Sequence, residues 1–308
     1  MPENQLTLHI TPNSTLASAI TSWESYLSDK GRSPNTIKAF LSDVRLLTSF
    51  LPEDVKLSQI STKDLNRYFE WMEHEREVPC SPKTLARRIT ATKSLFRWLH
   101  QYGVLTMDPA EKVAQRSAIS PLPTVLTPDE YDAVLLAADR HRRGPKPDAR
   151  SYTLVYLLLT TGIKKSETLG LKLEHVDLET PNGPQIFVRY ASPANRYKER
   201  KLTLPDDWVP AYQEYLAQYK RSTPQSGSGD HPTEQVFPWS PRRLEYLLED
   251  IGNEAGLTKH LSFDMCRWTC AMNDYRAGEE PDKIRQKLGV SKIQWRELHN
   301  KLKQLSGS

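Results

Sequence analysis

Ser262-Phe263-Asp264-Met265-Cys266-Arg267-Trp268-Thr269-Cys270-Ala271 is the stretch on which the reading of this chain turns. Cys266 and Cys270 are four apart, which puts them on one face of a helix. Further on, Leu288-Gly289-Val290-Ser291 closes one helical segment on a glycine, and a second runs to Glu297-Leu298-His299-Asn300. The whole region from Ser240 to Leu305 reads as helical. The third cysteine is Cys80, and neither the odd number nor the spacing fits a zinc site. All three read as thiols packed like small hydrophobes. No metal and no cofactor is expected.

Working outward, 308 residues accommodate two domains at about 100–200 residues each. Charged residues make up 26% and mean hydropathy is -0.62, values of a globular chain with many exposed polar groups. No apolar run approaches the roughly 20 residues that cross a bilayer. Met1-Pro2-Glu3-Asn4-Gln5 has neither the basic start nor the apolar centre of a secretory signal. A cytoplasmic location is expected, with association to the nucleoid if DNA is bound. The net charge of +4 weakly favours an anionic partner.

Residues 1–13 read as a tail. Residues 14–115 form a helical domain whose starts are written in Ser-Pro pairs. Ser33-Pro34 and Ser81-Pro82 each place an N-cap before a proline at the first helical position, and Ser61 caps a third helix. The apolar sets Leu16, Ile20, Trp23, Tyr26, Leu27, then Ile37, Phe40, Leu41, Val44, Leu47, then Leu65, Tyr68, Phe69, Met72, then Leu85, Ile89, Leu95, Phe96, Leu99 recur at helical spacing. Residues 116–124, with Pro121 and Pro123, form a linker. A second domain covers 125–305. It opens on the cap Thr127-Pro128-Asp129-Glu130 and buries the helix Tyr152–Leu159, which ends at Thr161-Gly162. Gln185–Tyr190 and Arg200–Leu204 read as strands, and Ser222–Pro232 as a loop.

These motifs together resemble the tyrosine recombinases, the phage-integrase and Xer-like family, over about Thr15 to Lys303. The resemblance implies a fold that is mainly α with a small antiparallel β-sheet. A helical, SAM-like core-binding domain would precede a catalytic-type domain, and the two would grip duplex DNA. The family's chemistry is attack by a tyrosine hydroxyl on a phosphodiester. Arginines stabilise the extra charge, and a lysine and histidine-type residues move protons.

Carried onto this chain, the resemblance retains Lys198 in Asn195-Arg196-Tyr197-Lys198-Glu199-Arg200, together with Arg267 and Trp268. Four positions depart from it. Lys164, in Thr161-Gly162-Ile163-Lys164-Lys165-Ser166-Glu167, stands where the family has arginine, keeping charge but losing the bidentate fork. Asp264 and Val290 stand where histidines are expected. Counting on from Val290, His299 falls at the tyrosine position, and no tyrosine follows Tyr275.

The residues expected to meet DNA are Lys38, Lys83, Arg87, Arg88, Lys93, Lys165, Arg200, Arg242 and Arg243. For many of them a solvated charge is the plainer reading. The overall expectation is a sequence-specific duplex-DNA-binding protein without strand cleavage, acting as an architectural, regulatory or partner protein in recombination or integration. Its implied partners are double-stranded DNA and an active recombinase or further copies on DNA, with a monomer in solution. One alternative is an active recombinase with a substituted nucleophile, His299, or a relocated one, Tyr197, Tyr246 or Tyr275. Another is an interaction scaffold that no longer binds DNA.

Overall fold

The computed structural model describes residues 10–115, 121–222 and 234–307. Residues 1–9 of the expected tail, 116–120 of the expected linker and 223–232 of the expected loop lie outside the described residues. The chain divides into two compact units, 1–121 and 122–308.

The first unit is a helical bundle of α1 (Leu16–Asp29), α2 (Pro34–Phe50), α3 (Thr62–Glu70) and α4 (Pro82–Gln101). Thr15, Ser33, Ser61 and Ser81 cap them, each side-chain oxygen accepting from a main-chain N–H of the first turn. Such caps are each worth about 1 kcal/mol. The helices close on Trp23, Leu47, Tyr68, Leu85 and Phe96.

Inside this bundle lies the carboxylate of Asp43, with a side chain only 3% exposed. Arg87 donates to its Oδ2, and Arg88 Nε sits 3.5 Å from its Oδ1. Arg88 also reaches Met72 Sδ at 2.7 Å and Cys80 Sγ at 3.4 Å. The side chain of Arg88, expected to meet DNA, is 14% exposed and sits beside a buried acid, so that little of it is presented to a ligand.

The second unit begins with α5 (Pro128–Arg143), α6 (Arg150–Thr161) and α7 (Lys165–Leu169). The antiparallel sheet follows, with β1 (Val176–Asp177), β2 (Gln185–Val188) and β3 (Arg200–Thr203) in that spatial order. Ile186 pairs with Leu202 and Val188 with Arg200, so that Ile186, Val188 and Leu202 enter the core. The two-residue β1 is too short to show alternation in sequence. Then come α8 (Trp208–Ser222), α9 (Pro241–Glu254), α10 (Phe263–Arg276), α11 (Pro281–Leu288) and α12 (Lys292–Ser306). Among the described residues, no helix is long and apolar enough to cross a membrane.

The unbroken apolar run of α6 is explained by burial: Leu154, Val155, Leu157 and Leu158 are all fully enclosed. Its end packs against α10. Gly162 turns the chain at φ +60°, and a Cβ there would lie 2.9 Å from Leu288 Cδ2 and 3.2 Å from Cys270 Sγ. Cys266 and Cys270 are buried, as expected of structural thiols. A smaller cluster of Ala271, Met272, Ile284, Leu288 and Leu302 joins α10, α11 and α12. Gly162→Ala should therefore combine left-handed strain with overpacking and cost roughly 2–4 kcal/mol, measured by denaturant unfolding. A loss below about 0.5 kcal/mol would contradict the packing described.

Candidate functional site

The site is built where α6 ends. Gly162 reverses the chain, Ile163 is buried, and Lys164 becomes the cap residue of α7. One turn on, Glu167 points inward with its side chain 1% exposed. Its Oε2 accepts from the Lys164 N–H at 2.9 Å, and Arg200 Nη2 and Nη1 donate to its two oxygens at 2.9 and 3.1 Å. The Tyr190 hydroxyl donates to the same carboxylate. Burial alone would raise the Glu167 pKa, but the Arg200 guanidinium and the other donors outweigh it and hold the carboxyl below its ordinary range. Burial, with the carboxylate beside it, pushes the Tyr190 phenol up to about 12.

Arg200 is thereby accounted for. Its side chain is 9% exposed, and its Nε donates to Lys287 O at 2.6 Å. It bridges β3, α7 and the end of α11, so that little of it is presented for the expected DNA contact.

Arg267 lies on α10 and is largely buried. Its Nη1 donates to Gly162 O, and its Nη2 to Leu288 O at 2.6 Å. Two adjoining clefts, of about 320 and 270 Å³, meet at Lys164, Asp264 and Arg267. The first extends over Lys165, Glu245 and His260. The second is walled by Trp268, Leu288, Val290 and the α12 residues Gln294, Glu297, Leu298 and Lys301. Lys164 has 35% of its side chain exposed and Glu167 Oε1 at 4.0 Å. Burial lowers its ammonium pKa, and Arg267, Arg200 and Lys198 push the same way against Glu167. Lys198 itself donates to Asn195 Oδ1 at 2.9 Å and lies 5.1 Å from the centre of the Tyr197 ring.

The structure thus brings Lys164, Asp264, Arg267, Trp268 and Val290 together around one pair of clefts. It does not bring His299 to them. That ring stacks on Trp295 at 5.2 Å and meets Tyr275 edge-on at 5.8 Å. Burial and the nearby Lys303 lower its pKa. Among the described residues, neither cleft has a tyrosine in its wall. Tyr246 accepts from Arg242 Nε at 2.8 Å on α9, and Tyr197 is 72% exposed. Asp264 is exposed and, among the described residues, forms no ion pair with Arg267.

Of the remaining cations, Lys38, Lys83, Arg87, Arg242 and Arg243 are exposed on their helices. Lys93 donates to Glu111 O at 3.3 Å, and Lys165 pairs with Glu245 at 2.6 Å. The sequence reading missed Glu167, Tyr190 and the α12 wall. The spacing of Gln294, Leu298 and Lys301, at i, i+4 and i+7, was the available signal for that wall.

With the geometry in hand, comparison with known proteins places the chain. Residues 20–103 match the phage integrase N-terminal SAM-like domain, and residues 124–298 match the phage integrase family. The chain belongs to the phage integrase family. It is 31% identical to tyrosine recombinase XerC of Mycobacterium sp. (strain JLS) over 164 residues, 53% of this chain and 55% of that protein. It thus spans about half the length of that relative. To tyrosine recombinase XerD of Listeria innocua serovar 6a (strain ATCC BAA-680 / CLIP 11262) it is 24% identical over 287 residues, 90% and 91% of the two chains. The Tn1549 transposon integrase, solved in complex with a circular intermediate DNA, shares the fold, with a TM-score of 0.70, 17% identity and coverage of 92% and 94%.

Glu167→Gln would leave the Arg200 charge buried and uncompensated, at an expected cost of about 3–5 kcal/mol in thermal or denaturant unfolding at neutral pH. The folded Glu167 pKa is depressed, so its contribution is present above the ordinary value of 4.5 and is lost as pH falls through the folded value. The gap between wild type and variant should narrow below that pH. A gap independent of pH would show that the carboxylate charge is not what matters.

Proposed function

We propose that this protein binds duplex DNA without cleaving it. It would act as an architectural, regulatory or partner protein in DNA recombination or integration, alongside an active recombinase or further copies on the same DNA. The observation that carries the reading is the wall opposite Lys164 and Arg267. There α12 offers Gln294, Glu297, Leu298 and Lys301, none of which is a tyrosine. Covalent strand transfer needs a nucleophile in line with the phosphorus at about 3–3.5 Å. His299, held against Trp295 and Tyr275, is not directed there.

Duplex DNA as the ligand is supported by the family, by the integrase relative solved with DNA, and by the exposed cations Lys38, Lys83, Arg242 and Arg243. Loss of a single charge-stabilising donor in an active enzyme costs about 100–1,000-fold. Here Lys164 supplies one point charge in place of a fork, and Asp264 and Val290 supply no histidine-type proton transfer.

The test is a labelled duplex from around the protein's own gene, run on native gels across a salt series and on denaturing SDS gels. A salt-sensitive native shift that disappears in SDS, over unbroken DNA, is expected. An SDS-resistant protein–DNA band or a nick overturns the non-cleaving reading, and its loss in His299→Ala would assign the nucleophile.

A further inference from the structure

Asp43 of the first unit is shared by two arginines that hold it differently. Arg87, with 41% of its side chain exposed, donates through Nη1 to Asp43 Oδ2 and, at 3.4 Å, to Ala39 O. Arg88 is enclosed. Its Nε lies 3.5 Å from Asp43 Oδ1, yet that nitrogen is buried and, among the described residues, has no hydrogen-bond acceptor. Its Nη1 reaches Met72 Sδ at 2.7 Å and Cys80 Sγ at 3.4 Å, and sulfur is a weak acceptor. A buried donor left without an acceptor is costly. The exposed arginine thus has the good contact with the acid, and the buried one has the poor contact. Lys83, one turn before Arg87 on α4, and Lys38, next to Ala39 on α2, are exposed beside this junction.

We propose that Asp43 is an exchange point: when DNA binds, Arg87 leaves the carboxylate for a phosphate, and Arg88 Nε closes on Asp43 in its place. This rests on the DNA-binding reading above and adds to it a residue, Arg88, that governs a phosphate contact without touching DNA. Arg87 has further donors with which to meet a phosphate while still holding Asp43. Only the exchange, however, supplies the buried Arg88 Nε with an acceptor, and it leaves no buried acid unpaired. A shift of roughly 0.5 Å brings that nitrogen to ordinary hydrogen-bond length.

The experiment measures, on one duplex, the slope of log affinity against log salt, with thermal midpoints to check that each protein is folded. Each phosphate contact contributes a slope of about 0.9. Arg87→Gln should lower the slope by about 0.9. Arg88→Met should lower it by the same amount, because Arg87 is then the sole cation on Asp43 and stays there. Asp43→Asn should keep the wild-type slope, since Arg87 has no acid to leave. The double variant Asp43→Asn/Arg88→Met removes the buried acid and the buried cation together, and it should regain the slope that Arg88→Met lost. Wild-type protein gives a second readout that no folding defect affects. Its Arg88 Nε–H resonance, assigned by its absence in Arg88→Lys, should move downfield and exchange more slowly with solvent once DNA is added.

An Arg88→Met protein with the wild-type slope, or an Arg88 Nε–H resonance that DNA leaves unchanged, overturns the exchange. So does an Asp43→Asn protein that loses slope, which would make Asp43 a positioning residue for Arg87. A double variant as low as Arg88→Met overturns it in favour of direct phosphate contact by Arg88. Wild-type protein that leaves the duplex unshifted even at low salt removes the DNA reading, and this inference with it.

Discussion

A carboxylate in the interior must be neutralised where it lies, and the second unit is organised around one such group. Glu167 receives donors from Lys164, Tyr190 and Arg200, residues of three separate segments. Arg200 continues the chain of contacts to Lys287 O, and Arg267 adds Leu288 O and Gly162 O. The end of α6, the start of α7, strand β3 and the end of α11 are thus tied into one polar network. Such a network adds little net stability over an apolar core, but its geometry is specific, because each missing partner leaves a desolvated charge or carbonyl. Placement of the cleft walls follows from that specificity.

Local chemistry was legible in the sequence. Ser33, Ser61, Ser81 and Thr127 cap the helices they were expected to start, because a cap depends on neighbours three residues away. The apolar stripes were legible for the same reason. Contacts across the chain were not: Glu167 and Arg200 are 33 positions apart, and nothing local marks either as buried. Arg88 is a different case. Charge marks it like the exposed cations of α4, yet Leu85, Arg88, Ile89 and Thr92 follow the i, i+3, i+4, i+7 pattern of a buried face. The missing element was Asp43 on another helix, which makes burial of an arginine tolerable.

The last helix carries the same lesson. Counting residues from Val290 selects His299, but a helix advances about 100° per residue, so one position decides which face a side chain occupies. The face toward Arg267 is that of Gln294, Leu298 and Lys301, while His299 stacks with Trp295 on a neighbouring one. A count through a turn fixes the helix, and packing fixes the face. Here the small cluster of Ile284, Leu288 and Leu302 sets the rotation of α12.

Charge that looks available is often already used. Arg142 and Arg143 in the last turn of α5 pair with Asp139, Arg142 also with Glu214, and Arg150 at the start of α6 with Asp148, so these charges are neutralised within the unit. The cleft differs in its balance. Lys164, Lys198, Arg200 and Arg267 surround the buried Glu167, and the Lys164 ammonium is destabilised by burial first and then by its cationic neighbours. An anion entering the cleft would offset that repulsion. Affinity at such a place would come from positive potential, which needs neither a nucleophile nor proton-transfer groups. On the non-cleaving reading proposed above, binding and chemistry separate because the cations are held by the fold's own network, whereas strand transfer would also need a reactive group on the facing wall of α12.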